Sequence, residues 1–247
     1  VLINLAVRED KRLLDLTDAD FRNDRHSTAA VEKRRESPRE LARMVHRRLE
    51  RKIGREHLSL ELYEEGRTGT VAVSKNRING DRQLFVNGIN EVTTRLVHDQ
   101  SFALLGHLGL LLHERPRRVG VVCLGAGLSA GAASLHEDVE RLDIVDLEPA
   151  VVSGARRFSE MNHGVLDDPR TRLVLDDGRA FLRATDARYD VLVVDSTHPR
   201  AVDSWPLYTR EFYRTAASRL QHDGWLVQWI PRHGLTVDEV GIIARTF

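Results

Sequence analysis

The sequence predicts a doubly wound α/β domain with a mostly parallel sheet, preceded by a small antiparallel β domain and an N-terminal helical segment. From Val119 onward, five apolar runs alternate with helical stretches, a pattern typical of parallel strands that helices cover on both faces. Before them, residues 58–95 alternate in polarity and are rich in β-branched residues, which indicates antiparallel strands.

The N-terminal segment, residues 1–57, contains one clear helix. Ser37 is a capping residue, Pro38 stands at the first helical position, and Glu40 can reach back to the cap. Apolar residues then recur at helical spacing until Gly54, and they are Leu41, Met44, Val45, Leu49 and Ile53. We interpret this basic amphipathic helix as a solvated helix that docks its apolar stripe on the rest of the protein. A basic helix that binds a membrane surface or nucleic acid is the alternative.

The small β domain is predicted over residues 58–96. Its strands lie in LSLELY, TGTVAVS, RQLFVNG and INEVTTR. The pairs Asn79-Gly80 and Asn87-Gly88 predict two-residue hairpins between strands. A mostly buried helix, Ser101–Glu114, is expected to follow, and Pro116 ends it.

The α/β domain is predicted over residues 97–247. Its five strands lie in VGVVCLG, RLDIVDLE, RLVLDDG, YDVLVVD and GWLVQWIP, with helices that include Val151–Glu160 and Glu211–Leu220. The sequence stops at DEVGIIARTF, a predicted helix with no strand after it. We expect a C-terminal hairpin of the complete sheet to be missing, and a start at Val1 indicates a fragment or a processed product.

Composition excludes several classes of function. The 247 residues contain 37 Lys+Arg and 37 Asp+Glu, so no global charge favours nucleic acid or an anionic membrane as the main partner. The single cysteine, Cys123, fits a reducing compartment. No apolar run approaches the roughly 20 residues that span a bilayer, and no signal peptide is visible. We therefore expect a cytoplasmic protein, and the histidines show no metal-binding spacing.

Four consecutive strand ends carry the candidate chemistry. In chain order they supply Gly125 and Gly127, Asp146, Asp177 with Gly178, and Asp195. Ligands of doubly wound sheets bind in the crevice at the carboxyl ends of the strands. A glycine loop followed by three acids therefore predicts a nucleoside ligand.

The glycine spacing narrows the class of nucleoside. Gly125, Gly127 and Gly131 give G-x-G-x-x-x-G, one residue longer than the spacing common in dinucleotide sites. An S-adenosyl sulfonium compound carries positive charge and no phosphate, so it suits an acid-lined crevice better than a nicotinamide cofactor does. An α/β domain that has lost its ligand is the remaining alternative.

Five motifs occur together in one order: RRVGVVCLGAG, IVDLEPAVV, DDPRTRLVLDDGRAFL, YDVLVVDSTHP and LYTREFYRTAASRL. With the small β domain, they make residues 58–247 resemble the spermidine synthase-like polyamine aminopropyltransferases, and the run from Asp167 to Tyr213 is the most specific part. The sequence is particularly similar to divergent members that are often fused to membrane-spanning segments. The resemblance implies a Rossmann-like fold of the S-adenosylmethionine-dependent methyltransferase type.

The resemblance also implies roles for the strand-end residues. The glycine loop borders the sulfonium nucleoside, Asp146 holds its ribose, and Asp177 beside Gly178 reads its adenine amino group. Asp195 matches the proposed base that takes a proton from the attacking amine. An alkylamine has a pKa of about 10, so it must lose a proton before it attacks carbon. A carboxylate that only caps the amides after Asp195 is the alternative interpretation.

Four positions depart from the family pattern. Leu128 is placed where family synthases have the aspartate of G-G-G-D-G, and Ser101 and Phe102 replace a Tyr-Gln pair. His198 replaces the second aspartate of D-S-T-D-P. We interpret His198 as a group that orients substrate or accepts a proton, or else as a turn histidine packed under Pro199. Putrescine is therefore a less secure acceptor.

The segment Arg200–Pro206 is predicted to cross the mouth of the crevice. Trp205 with Tyr208 would then cover a bound amine by cation–π contact. An ordinary surface loop with Trp205 packed on the small β domain is the alternative.

The resemblance implies a transferase that moves an aminopropyl group from decarboxylated S-adenosylmethionine, or a relative such as S-adenosylmethionine, to a small-molecule amine in polyamine biosynthesis. A homodimer and attachment to a membrane domain outside this chain are left open as partners. Two other functions also stay open. One is an S-adenosylmethionine-dependent methyltransferase, and the other is a non-catalytic nucleoside-binding module of a larger membrane-anchored protein.

Overall fold

The computed structural model describes residues 58–94, 96–196, 198–201, 204–231 and 234–247. The predicted basic helix of residues 1–57 lies outside these ranges. No helix within them is both long and apolar enough to cross a bilayer.

The small domain is a four-stranded antiparallel sheet in the order β1-β2-β3-β4. Its strands are β1 (Leu58–Glu65), β2 (Thr70–Asn76), β3 (Arg82–Val86) and β4 (Ile89–Thr93). The predicted two-residue hairpin at Asn87-Gly88 is confirmed, because both residues have positive φ, 53° and 78°.

The other predicted two-residue hairpin, at Asn79-Gly80, is wrong. Residues 77–81 form a wider loop between β2 and β3. The side chain of Asn76 accepts a hydrogen bond from the amide of Ile78 at 2.8 Å, and that of Asn79 accepts one from the amide of Asp81 at 3.0 Å. These side-chain bonds stabilise the longer turn.

The large domain alternates helices and strands. The helices are α1 (Leu96–Leu112), α2 (Leu128–Ser134), α3 (Pro149–Ala155), α4 (Gly178–Ala184), α5 (Arg210–Ser218) and α6 (Val237–Thr246). The strands are β5 (Arg118–Val122), β6 (Arg141–Asp146), β7 (Thr171–Leu175), β8 (Tyr189–Val194) and β9 (Leu220–Gln228). Short 3₁₀ turns follow at Arg156–Phe158, Val165–Asp167 and Trp205–Tyr208. The predicted helix Val151–Glu160 therefore starts earlier, at Pro149, and ends in a 3₁₀ turn.

The sheet order is β7-β6-β5-β8-β9, and every neighbouring pair is parallel. The chain leaves the central strand β5 in one direction to β6 and β7 and later returns on its other side to β8 and β9. This reversal makes the tips of β5 and β8 a topological switch point, where doubly wound sheets bind ligands. The doubly wound fold predicted from the sequence is confirmed.

The central strands bury both faces. Val121 and Val193 join one apolar cluster with α1 and α2, while Val122 and Val194 join a second cluster with α4 and α5. All four side chains are at most 3% exposed. Burial of one such side chain stabilises the fold by about 1.5–3 kcal/mol, so the strand tips are held on a rigid base.

Candidate active site

The predicted site residues meet at one edge of the sheet. The register pairs Val122 with Val145 and with Val194, and it pairs Asp146 with Leu175. The carboxyl ends of β5, β6, β7 and β8 are therefore adjacent.

The loop after β5 turns through two left-handed glycines. Gly125 has φ 54° and Gly127 has φ 81°, conformations that favour glycine. A Cβ added at Gly125 would have no heavy atom within 4 Å, so the loop is open there. A ligand can approach the backbone at this point.

Asn162 supports this loop from inside the protein. Its Nδ2 donates to the carbonyl of Ala126 and to that of Ala155, both at 2.9 Å, and the residue is 1% exposed. A Cβ added at Gly131 would overlap the backbone carbonyl of Asn162. The third glycine of the motif thus permits close packing. Asn162 was not predicted from the sequence, where its only signal is a polar residue two positions before Gly164.

Asp146 is buried over the start of the glycine loop. Its Oδ2 accepts a hydrogen bond from the amide of Leu124 at 2.7 Å, and its Oδ1 accepts one from the amide of Glu148 at 2.9 Å. Each carboxylate oxygen can accept a further bond. A ribose diol is a donor of suitable chemistry.

Asp177 caps the start of α4 and also forms an ion pair. It accepts hydrogen bonds from the amides of Arg179 and Ala180 at 2.8 and 3.1 Å, and its Oδ2 lies 2.7 Å from the Arg179 guanidinium. The hydrogen bond from Arg179 lowers the pKa of Asp177, so its carboxylate is charged at neutral pH. An adenine amino group would share this carboxylate with Arg179.

Gly178 has a packing role. A Cβ added there would lie 2.6 Å from Cγ1 of Val122. The glycine lets α4 begin against β5, which brings the Asp177 cap close to the central strand.

Asp195 stands at the tip of β8. Its amide donates to the carbonyl of Val122 at 3.0 Å, and its Oδ2 accepts a hydrogen bond from Oγ of Ser129 at 2.6 Å. Burial raises the pKa of Asp195 to about 7, while the hydrogen bond from Ser129 acts in the opposite direction. The group can therefore exchange a proton near neutral pH.

Ser129 was not predicted as a site residue. It is fully buried in the first turn of α2 and is the residue that contacts Asp195 from the glycine-loop side. The preceding residue, Leu128, departs from the family pattern; it is 3% exposed and packs in the core under the loop. Asp146 and Asp195 thus contact the same loop segment, at its start and at its end.

The loops after β8 and β9 lie beside this base. Nδ1 of His198 accepts a hydrogen bond from the amide of Arg200 at 3.2 Å, as a turn histidine does, and Nε2 faces Gly234. Tyr208 is buried, and its hydroxyl donates to the carbonyl of Trp229 at 3.1 Å. The Trp205 side chain is 53% exposed. Substrate roles for His198 and Tyr208 stay predictions.

Two other features lie apart from this chemistry. A cavity of about 120 Å³ is lined by residues such as Arg82, Arg157 and Met161, and it includes none of the strand-tip side chains. In the part of the chain that the structure describes, no three His, Cys, Asp or Glu side chains are grouped as metal ligands.

Several known proteins are similar to this chain. A family model described as "Spermine/spermidine synthase domain" matches residues 101–231. The polyamine aminopropyltransferase of Thermotoga petrophila is 31% identical over 121 residues, 49% of this chain and 41% of that protein. That of Archaeoglobus fulgidus is 34% identical over 160 residues, 65% of this chain and 54% of that protein. The chain spans about half the length of the curated relatives it matches.

Solved structures are similar as well. A spermidine synthase in complex with the transition-state analogue AdoDATO has a TM-score of 0.62 at 25% identity, covering 68% of this chain and 56% of that one. The spermidine synthase from Thermotoga maritima has a TM-score of 0.60 at 24% identity, covering 68% and 55%. The second likeness concerns the fold alone.

Proposed function

Because the chain belongs to the spermine/spermidine synthase domain family, we propose that it is a transferase that moves an aminopropyl group from decarboxylated S-adenosylmethionine to an amine, as in polyamine biosynthesis. One observation carries the proposal. A carboxyl group with a pKa of about 7, Asp195, is held by Ser129 at the tip of β8, on the glycine loop that Asp146 contacts from the other side.

The chemistry of the strand tips supports one arrangement of the donor. In the proposed complex, Asp146 holds the ribose, Asp177 reads the adenine amino group, and the sulfonium faces Asp195. The AdoDATO complex of a solved spermidine synthase supports this choice of donor. The open surface at Gly125 gives the nucleoside room against the loop.

The transfer follows from these positions. The acceptor arrives as an ammonium and gives a proton to the Asp195 carboxylate. The freed nitrogen lone pair attacks the aminopropyl carbon bonded to sulfur, and the C–S electron pair stays on sulfur as methylthioadenosine leaves. A pKa of about 7 lies nearer to the acceptor's value, about 10, than an ordinary carboxyl does, which favours the proton transfer.

The test is turnover of the full chain with this donor and a panel of amines, with methylthioadenosine measured by mass spectrometry. We expect Asp195→Asn to lower kcat/KM by about 10²–10⁴-fold. The matched control is Asp186→Asn, an exposed carboxylate in the loop between α4 and β8. An absence of product with every acceptor, under conditions in which an authentic synthase reacts, would overturn the proposal.

A methyltransferase is the second candidate. Leu128 is buried in the core, so its side chain offers no charge to the donor's aminopropyl ammonium. Calorimetry with both donors separates the two functions, because tighter binding of S-adenosylmethionine than of its decarboxylated form would favour methyl transfer.

The proposal also covers the cellular location and the partners of the protein. A cytoplasmic location is supported by the single cysteine, Cys123, which fits a reducing compartment. A homodimer and a membrane anchor outside this chain are the partner arrangements to test, by light scattering and by fractionation of the full-length protein.

A further inference from the structure

Two aromatic rings pack together at the tip of β9, the strand next to the one that carries Asp195. The rings of Phe102 and Trp229 have centroids 5.5 Å apart and planes inclined by 33°. The amide of Trp229 donates to the carbonyl of Val194 at 2.9 Å, and Val194 is the residue directly before Asp195. Trp229 therefore lies at the tip of β9, next to the tip that carries Asp195.

Phe102 reaches the same place from α1. One turn later on that helix, a Cβ added at Gly106 would overlap the backbone carbonyl of Ser129, so α1 touches α2 at Ser129. Residues four apart share one helix face, which puts Phe102 on the face of α1 that contacts α2 at Ser129, the hydrogen-bond partner of Asp195. Both rings are half-buried. We call Phe102 and Trp229 the aromatic wall.

The hydrogen-bond partners shown for Asp195 and for the adjacent tip of β9 are uncharged groups. Ser129 donates to its carboxylate, and Ser196 and Gln228 bond to each other at 3.2 Å. The residue after Trp229 is Ile230, which is buried. Val194, directly before Asp195, is buried as well.

An acceptor that extends from Asp195 across the tip of β9 would bring its far end to this wall, and in a diamine that end is a second ammonium. Loss of water around that charge is costly unless a carboxylate compensates it, and cation–π contact returns only about 0.5–2 kcal/mol. An apolar group at the same position gains stability by burial instead. We infer that the acceptor is a primary amine whose carbon chain ends in an apolar or aromatic group that packs on Phe102 and Trp229.

This inference rests on the proposed function and uses the same transfer step. The ammonium of the acceptor loses its proton to Asp195, a new C–N bond forms as the C–S bond breaks, and methylthioadenosine leaves. Only the far end of the acceptor differs from that of a diamine.

The test compares acceptors of equal length. The full chain is incubated with decarboxylated S-adenosylmethionine and with hexylamine, 2-phenylethylamine or 1,5-diaminopentane. Methylthioadenosine and the aminopropylated amine are measured by mass spectrometry. We expect kcat/KM to be at least about tenfold higher for the two monoamines than for the diamine. Equal or better use of the diamine overturns the inference and leaves the proposed function in place. No methylthioadenosine with any acceptor overturns the proposed function itself.

Two variants test whether the aromatic wall causes the preference for monoamines. Trp229→Ala is expected to lower kcat/KM for 2-phenylethylamine by about tenfold or more while the Kd for the donor stays unchanged. Trp225→Ala is the control, since Trp225 lies in β9 away from its tip. Equal losses in both variants would contradict a role of the wall. The acceptor ratio of the unmodified protein decides the inference even if a variant does not fold.

Discussion

At the residue scale, the hydrogen bond from Ser129 controls when Asp195 is ionised. Only the carboxylate form accepts a proton, so activity should fall as the pH drops through about 7, the value to which burial raises the pKa. Ser129 stabilises the carboxylate and therefore keeps this pKa lower than burial alone would set it. We expect Ser129→Ala to move the acid limb of the kcat/KM profile to higher pH.

The size of this effect follows from the bond that is lost. A hydrogen bond to a charged group contributes about 1.5–3 kcal/mol, so activity on the acid limb should fall about tenfold or more. Ser134→Ala is the control, because Ser134 lies in the same helix and donates to the carbonyl of Gly131 at 2.7 Å. An acid limb in Ser129→Ala that coincides with that of the unmodified protein would contradict this assignment.

Single residues also show how far the sequence predicts the site. The acids at the strand tips were identifiable because apolar runs mark where parallel strands end. The sequence did not show whether Leu128 or Ser129 is directed to Asp195. The answer depends on how α2 is rotated about its axis where it begins after Gly127, whose φ is 81°. The support from Asn162 depends on contacts across 36 residues, which no local pattern reports.

At the element scale, α1 reaches its neighbours through two glycines. Gly106 lies against the backbone carbonyl of Ser129 on α2, whereas Gly109 lies against methyl groups of Val191 and Val227 on the sheet. A backbone carbonyl cannot rotate away as a side chain can. The helix pair that orients Ser129 thus depends on the absence of a side chain at Gly106.

The two glycines can be compared directly. Gly106→Ala should lower the free energy of unfolding by about 1–3 kcal/mol through overpacking, and it should lower turnover because Ser129 moves. Gly109→Ala gains the same helix propensity, about 1 kcal/mol. Its new methyl group meets side-chain methyl groups, which can shift more easily than a backbone carbonyl, so it should be less destabilising than Gly106→Ala. Urea unfolding of both variants measures the difference. If Gly106→Ala were as stable as Gly109→Ala or more stable, the close contact of Gly106 with the Ser129 carbonyl would be disproved.

The predicted elements were more accurate in number than in extent. The five parallel strands followed from five apolar runs, each long enough to mark a buried strand. The wide loop at residues 77–81 contains side-chain bonds of Asn76 and Asn79, and the last carbonyl of α3, that of Ala155, accepts a bond from the side chain of Asn162. An Asn-Gly pair fits a two-residue hairpin and a longer turn alike, and the Asn162 bond joins residues seven apart, so neither extent could be predicted from a local pattern.

At the scale of the whole molecule, Glu148 connects the small sheet to the strand tips. Its carboxylate accepts hydrogen bonds from the amide and hydroxyl of Thr68, at 2.7 and 2.9 Å, and from the amide of Ala150 at 3.1 Å. Its own amide donates to Asp146 at 2.9 Å. A Cβ added at Gly66 would overlap the Glu148 carboxylate. The β1–β2 turn is therefore fixed beside the residue that we propose to hold the ribose.

Removal of the Glu148 charge should weaken the contact between the β1–β2 turn and the strand tips. Burial acts to raise the pKa of Glu148, but the hydrogen bonds from Thr68 and Ala150 outweigh it and leave the pKa below its ordinary value. A lowered pKa in the folded state stabilises the fold above the unfolded value, about 4.3, and this contribution is lost as the pH falls through the folded pKa. Glu148→Gln should therefore lower the free energy of unfolding by about 1–3 kcal/mol at pH 7. The difference from the unmodified protein should shrink below about pH 4.

Activity distinguishes a positioning role from a purely structural one. Because Glu148 also contacts Asp146, we expect Glu148→Gln to raise KM for the donor several-fold while kcat changes little. Glu65→Gln is the matched control, since Glu65 is an exposed carboxylate at the same turn. Equal unfolding energies of the two variants at pH 7 would show that the turn does not depend on this carboxylate. A fall in kcat without a change in KM would place the effect at the base, Asp195, instead of at the ribose.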